Sequence, residues 1–305
     1  MKPRKKTGTL VDKAIIEVPG FASAIAQVEQ KIILNEGSKS TIKNYSRKIA
    51  QICLDLGCLP EQATDVQINA WLCDRIKSDK HPSLSDFKHS VYGLRYYFRM
   101  MDIPDRALKL PPIKRSKQLP VVLNHDECKL LIKAPDLLKH RMVLALIYSA
   151  GLRSRELSNL RICDVDTKRM SIHIRRSKYN KDRYVPLASK ILPGLEKYLR
   201  QCKPVEWLFN GHAEGQKFSG KGIQWVMHSA VKKAGITKNA TVHTLRHSYA
   251  THLLEWGMDI VSIKELLGHE RIETTLVYLH VAQPNRSSLF SPFDKLYETA
   301  QPAKA

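Results

Sequence analysis

Four short stretches of this chain hold residue types that could do chemistry. The first is HTLRHSYATHLLEWG, His243 to Gly257, with three histidines and an arginine close together. On a helix, His243 and Arg246 are three apart and share a face. Leu245, Tyr249, Leu253 and Trp256 would form the apolar face, and His247 and His252 are expected simply to pack. His243 and His247 have the spacing of zinc ligands on a helix, but Arg246 would set a fixed cation beside the ion and no Glu stands between them as a base. The metal reading is therefore set aside. The second stretch, GLRSRELSNL, places Arg153 at the start of a short helix after a glycine break. A helix start favours phosphate through its free N–H groups. The third, RRSKYNKDR, puts Lys178 at a hairpin tip, and the fourth, LLGHERIETTLVYLH, carries His269 and then Tyr278 on a following helix.

Together these stretches offer two guanidiniums, an ammonium, two imidazoles and a phenol. That set suits a phosphodiester. Two arginines hold the non-bridging oxygens and stabilise the added charge of a pentacoordinate transition state. A tyrosine can be the nucleophile. With a reference pKa of about 10, roughly a thousandth of it is ionised at neutral pH, so a nearby cation or base must help. A lysine can protonate the poor 5′-oxygen leaving group. No cofactor or metal enters this scheme.

The elements that must position these groups fall into two halves. The first half reads as helices. Phe21, Ile25, Val28 and Ile32 make one apolar stripe. Ile42, Tyr45, Ile49, Ile52 and Leu56 make a second, opposite Lys43, Asn44, Arg47, Lys48 and Gln51, with Gly57 as the stop. A shorter helix is expected around Val66 to Ile76. In a fourth, Leu84, Phe87, Val91, Leu94, Phe98 and Met101 oppose the basic row Lys88, Tyr92, Arg95 and Arg99. Residues 1–20 read as a loose basic arm. The stretch Ile103 to Pro120 holds four prolines among Lys and Arg and reads as an extended linker, unfit for a helix. Asn124 and Glu127 then have capping-box spacing. The second half is mixed. HRMVLALIYSA is a buried helix stopped at Gly151. The alternation Met170, Ile172, Ile174, resumed at Tyr184 and Val185, predicts a hairpin. Helices follow around Gly222–Ala234, Thr244–Trp256 and Ile260–Leu267.

Charge narrows the partner. The chain has 305 residues, with 50 Lys and Arg against 29 Asp and Glu. A formal +21 attracts polyanions, nucleic acid first. The excess is shared, with 20 basic against 12 acidic residues in the first 115 and 30 against 17 in the rest. The apolar run Met142–Tyr148 falls far short of the roughly 20 residues of a membrane span. The basic start lacks the apolar stretch of a signal peptide. The six cysteines show no paired spacing and suit a reducing cytoplasm.

GLRSREL, SKYNKDRYVPL, HTLRHSYATHLL and LLGHERIETTLVYLHV resemble, in order, the signature stretches of the tyrosine recombinase (phage integrase) family, nearest its Xer-type and simple integrase members. The resemblance covers about residues 20 to 290. It implies catalytic roles for Arg153, Lys178, His243, Arg246, His269 and Tyr278, the last as nucleophile. Glu156 stands where the family often has an acid supporting the first arginine. Lys178 rather than Lys181 matches the active lysine, although Ser177 and Tyr179 replace glycines of the family pattern. The fold implied is mainly α with a small β-sheet, a two-domain C-shaped DNA clamp. Its parts would be the arm (1–20), a four-helix SAM-like core-binding domain (21–105), a basic linker (106–119), a mixed α/β catalytic domain (120–288) and a tail (289–305). Ser291 and Pro292 would open a helix in that tail, exchanged between protomers or docked on its own domain. Expected DNA contacts are Lys43, Arg47, Lys88, Arg95, Lys114, Arg115, Lys181 and Arg183. The function implied is site-specific recombination or integration through a 3′-phosphotyrosyl intermediate, without metal or ATP. It would act on double-stranded recombination sites, in a synaptic tetramer and in the bacterial cytoplasm at the nucleoid. A type IB-like topoisomerase and a DNA-binding regulator without chemistry are the alternatives.

Overall fold

The computed structural model describes residues 8–35, 37–77, 84–108, 110, 119–175, 182–213 and 215–282. The chain divides into two compact units, Met1–Ser116 and Lys117–Ala305. Among the described residues the architecture is mainly helical, with one small three-stranded sheet.

The first unit contains α1 (Leu10–Glu17), α2 (Phe21–Leu34), α3 (Lys39–Leu56), α4 (Asp65–Lys77), α5 (Leu84–Met100) and α6 (Pro104–Leu108). The expected stripes build its core: Phe21, Val28 and Ile32 of α2 meet Ile49 and Ile52 of α3 and Val91, Leu94 and Phe98 of α5. Gly57 ends α3 at φ 71°, in the left-handed region.

Three expectations need correction. Part of the arm is a helix. Thr9 and Asp12 cap α1 reciprocally, and Ala14 and Val18 are buried in the unit's core. The predicted linker begins inside α6, where Arg106 donates to Asp65 Oδ1 at 2.8 Å and to the carbonyls of Pro60, Glu61 and Ala63. Pro104 suits the first position of such a helix, which needs no N–H donor. Lys48, expected on the polar face of α3, is buried and ion-paired with Asp86 of α5.

The second unit opens with α7 (His125–Lys133), where Asn124 and Glu127 form the expected capping box, and α8 (Leu138–Ala150). In α8, Val143, Leu144, Leu146 and Ile147 are fully buried, so the helix runs through the core. A short α9 (Ser154–Ser158) follows, then the antiparallel sheet β1 (Val165–Asp166), β2 (Ser171–Ile174) and β3 (Arg183–Pro186), in that order. Ile172 pairs with Val185 and Ile174 with Arg183. Met170 turns at φ 51° outside the strand. The helices α10 (Leu192–Cys202), α11 (Gly220–Lys233), α12 (Val242–Glu255), α13 (Ile260–Leu267) and α14 (Glu273–Leu276) complete the unit. A 3₁₀ turn, Val277–His280, follows α14, so Tyr278 sits on that turn rather than on an α-helix. Trp256, expected on an apolar face, is 66% exposed. The tail 289–305 lies outside the described residues.

Candidate active site

The site assembles around Glu156, the third residue of α9. Its Oε1 accepts from Arg153 Nη1 at 2.8 Å and from Arg183 Nη1 at 2.9 Å. Its Oε2 accepts from the Arg153 backbone N–H and from Arg183 Nη2, both at 2.9 Å. Arg246 Nη1 lies 3.7 Å from Oε2. Burial works to raise this carboxyl, but the Arg183 bonds and charge, with Arg153 and Arg246, hold it down to about 2. One carboxylate is shared by three guanidiniums, so these four side chains carry an excess of two positive charges. That excess suits an anion with two exposed oxygens.

Two glycines let the backbone come close enough to fix the arginines. Gly151 ends α8 at φ 59°, and a Cβ there would meet the Tyr249 ring at 2.6 Å. Its carbonyl accepts from Arg246 Nη1 at 2.5 Å, and the Leu267 carbonyl at the end of α13 accepts from Arg246 Nη2 at 2.5 Å. Gly268 follows at φ 62°, against the Arg183 side chain, and its carbonyl is 3.5 Å from Arg153 Nη2. Arg246 is buried in α12, whose start Thr241 caps. One turn earlier His243 is exposed, its pKa lowered by partial burial, Arg246 and Arg153.

The phenol faces the same helix. Tyr278 is 1% exposed, and its hydroxyl lies 3.0 Å from Nδ1 of His247. Burial raises the phenol's pKa, while Arg246 and Arg153 pull it down. His247 is pushed down to about 4 by burial, His243 and Arg246, so it is neutral near pH 7. The His269 ring stacks near that of Tyr278, with centroids 6.5 Å apart, and its Nδ1 is 2.9 Å from Thr275 Oγ1. Burial and the arginines lower His269 to about 3.

The structure thus brings Arg153, His243, Arg246, His269 and Tyr278 into one neighbourhood within the second unit. Lys178 and Lys181 lie outside the described residues, as do Lys114 and Arg115. Lys43 and Arg47 are exposed on α3. Lys88 is half-buried, and Arg95 turns back to donate to the Leu110 carbonyl at 3.1 Å. Arg183 is a correction. It was expected on DNA, but its guanidinium is buried between Glu156 and the Leu266 carbonyl. The signal was period two: Val185 faces the core, so Arg183, two residues back on β3, shares that face. His247 packs half-buried, as expected, and the group it meets is the Tyr278 hydroxyl. It lies one turn after His243, the same spacing that raised the metal question. Among the described residues, His125, His252 and Glu255 are close enough to share an ion. However, His252 already engages the Tyr148 hydroxyl through Nδ1 at 2.8 Å, and its ring stacks on His125 at 4.0 Å, a poor geometry for shared coordination.

A helical unit with a small sheet, three arginines on one carboxylate and a phenol beside an imidazole suit an enzyme class that handles phosphodiesters by tyrosine attack. Comparison with known proteins agrees. Residues 121–284 match the model of the phage integrase family. The chain is 32% identical over 274 residues to a putative integrase/recombinase, y4qK, of Sinorhizobium fredii, covering 88% of each. It is 38% identical over 194 residues to the tyrosine recombinase XerA of Pyrococcus horikoshii, 63% of this chain and 67% of that one. In fold it is similar to the XerH site-specific recombinase bound to palindromic difH substrate, a post-cleavage complex, with a TM-score of 0.67 at 20% identity over 90% of each chain. The chain belongs to the phage integrase family, as a Xer-like, tyrosine-type site-specific recombinase.

Proposed function

We propose that this chain cuts and rejoins double-stranded DNA at recombination sites, with Tyr278 as nucleophile. Arg153 and Arg246 hold the non-bridging oxygens of the scissile phosphate, and Glu156 fixes both. Tyr278 attacks phosphorus, the P–O5′ bond breaks, and the 3′ end stays on the enzyme as a phosphotyrosyl ester. Lys178 protonates the departing 5′ oxygen. His243 and His269 hold the phosphate and the nucleophile in line. The 5′ hydroxyl of another strand then reverses the step, so no external energy source is needed. Lys43, Arg47 and Lys88 of the first unit, with Lys114, Arg115 and Lys181, contact the backbone. The working form is a tetramer on two DNA sites, and the place of action is the cytoplasm.

One arrangement supports this reading above the others: the Tyr278 phenol lies within the field of Arg246 and Arg153, and those two arginines share Glu156. The test uses two differently labelled duplexes carrying the chain's own site. We expect strand joining between them, undiminished in EDTA and without ATP. Relaxation of supercoils with no joining between duplexes would make the activity topoisomerase-like. Binding with no covalent adduct would leave only a regulator.

A further inference from the structure

We propose that His247 is a further catalytic residue, the base that takes the proton from the Tyr278 phenol. This rests on the reading of Tyr278 as nucleophile. The hydroxyl of Tyr278 and Nδ1 of His247 are 3.0 Å apart, within the reach a general base needs. The two rings are held by different elements, His247 by α12 and Tyr278 by the turn after α14. His269, stacked by the phenol, has its Nδ1 on Thr275. His243 is one turn away from His247, with ring centroids 6.5 Å apart.

The step balances as follows. The Tyr278 Oη–H bond gives its electrons to oxygen and its proton to Nδ1 of neutral His247. Oη forms its bond to phosphorus, and the P–O5′ pair leaves with the 5′ oxygen. That oxygen takes a proton from the acid assigned above to Lys178. The diester keeps one negative charge, while His247 gains a positive charge and the lysine loses one. Rejoining returns both protons.

The charges facing His247 keep its ring neutral before substrate binds. His243 and Arg246 on its own helix depress it, and the Tyr278 turn brings no carboxylate toward it among the described partners. In the free protein the ring is therefore neutral, and in the tautomer with its proton on Nε2 the Nδ1 atom accepts from the phenol. A phosphate held by Arg153 and Arg246 offsets the Arg246 charge and raises the proton affinity of the ring as attack begins.

The experiment is single-turnover cleavage by the full chain of a nicked duplex carrying its site, with an oxygen or a sulfur at the 5′-bridging position. His247→Asn keeps an acceptor near the hydroxyl but cannot take a proton, and His247→Ala leaves room for free imidazole. Both are expected to bind DNA within about twofold of wild type and to cleave at least about 100-fold more slowly. The defect should persist with the sulfur substrate, because it lies on the nucleophile side. Imidazole should speed His247→Ala and not Tyr278→Phe. Cleavage near or above the wild-type rate, rescue by sulfur, or slow cleavage with no rescue by imidazole would overturn the proposal. Tyr278→Phe in the same assay separates the two readings. A surviving adduct there sinks the nucleophile assignment. An adduct lost there but formed at full rate by both His247 variants sinks the base alone.

Discussion

Glu156 is 8% exposed and pairs with Arg153 and Arg183 while Arg246 stands close by. Breaking a buried pair by removing one partner costs about 3–5 kcal/mol, because the other charge is left uncompensated. The pH dependence follows from a folded value of about 2 against an ordinary 4.5. For a depressed acid, the stabilisation is complete above the unfolded value and is lost as pH falls toward the folded one. Two and a half pH units correspond to about 3 kcal/mol. Urea unfolding of wild type and Glu156→Gln is therefore expected to show a gap of about 3 kcal/mol at pH 7, shrinking to about half by pH 3. A gap that ignores pH would mean that Gln is simply a worse fit. Much of the site was legible residue by residue, because H-x-x-R and the later histidine and tyrosine are local patterns. The Arg183–Glu156 pairing was not, since it joins β3 to α9 across 27 positions of sequence. The contact between His247 and Tyr278 was hidden for a similar reason, since the two lie 31 residues apart.

Elements place these groups through their ends as much as their faces. Gly151 ends α8, supplies a carbonyl to Arg246 and stands two residues before Arg153. Gly151→Ala meets both a left-handed backbone and the Tyr249 ring at 2.6 Å. Gly57→Ala at the end of α3 meets the same kind of backbone with open space around it. The expected costs are about 1 kcal/mol for Gly57→Ala and about 2–4 kcal/mol for Gly151→Ala, where overpacking is added. Chemical denaturation of the two variants checks this, and only Gly151→Ala should also slow cleavage. Equal costs would mean the α8 end relaxes freely around an added methyl. The long helices were readable because their apolar residues recur at helical spacing. The helix α1 was not, because eight residues are too short to be stable alone and its buried side is completed by α3. Two-residue β1 carries no period to read, and α6 owes its place to Arg106 reaching back to the turn before α4 and to Asp65.

At the scale of the molecule, each unit has its own core, and each carries a basic excess. The composition gave the partner class, since +21 is more than folding requires. The split at Ser116 falls inside the proline-rich stretch, where composition changes abruptly. Two cores predict that residues 117–305 fold and unfold cooperatively alone. That fragment is expected to cleave a nicked site while binding DNA more weakly than the full chain. Its affinity should also fall less steeply with salt, because fewer cations displace counterions. Fluorescence anisotropy across a salt series measures both slopes, and equal slopes would remove the first unit from the interface.

The central claim is that the phosphate is transferred to Tyr278. The most direct measurement is peptide mapping of the covalent adduct trapped on a nicked duplex, by digestion and mass spectrometry. The account predicts a nucleotide linked through its 3′ phosphate to the peptide that contains Tyr278, and no adduct from Tyr278→Phe. A 3′-linked nucleotide on Tyr249, Tyr148 or any other side chain would contradict it.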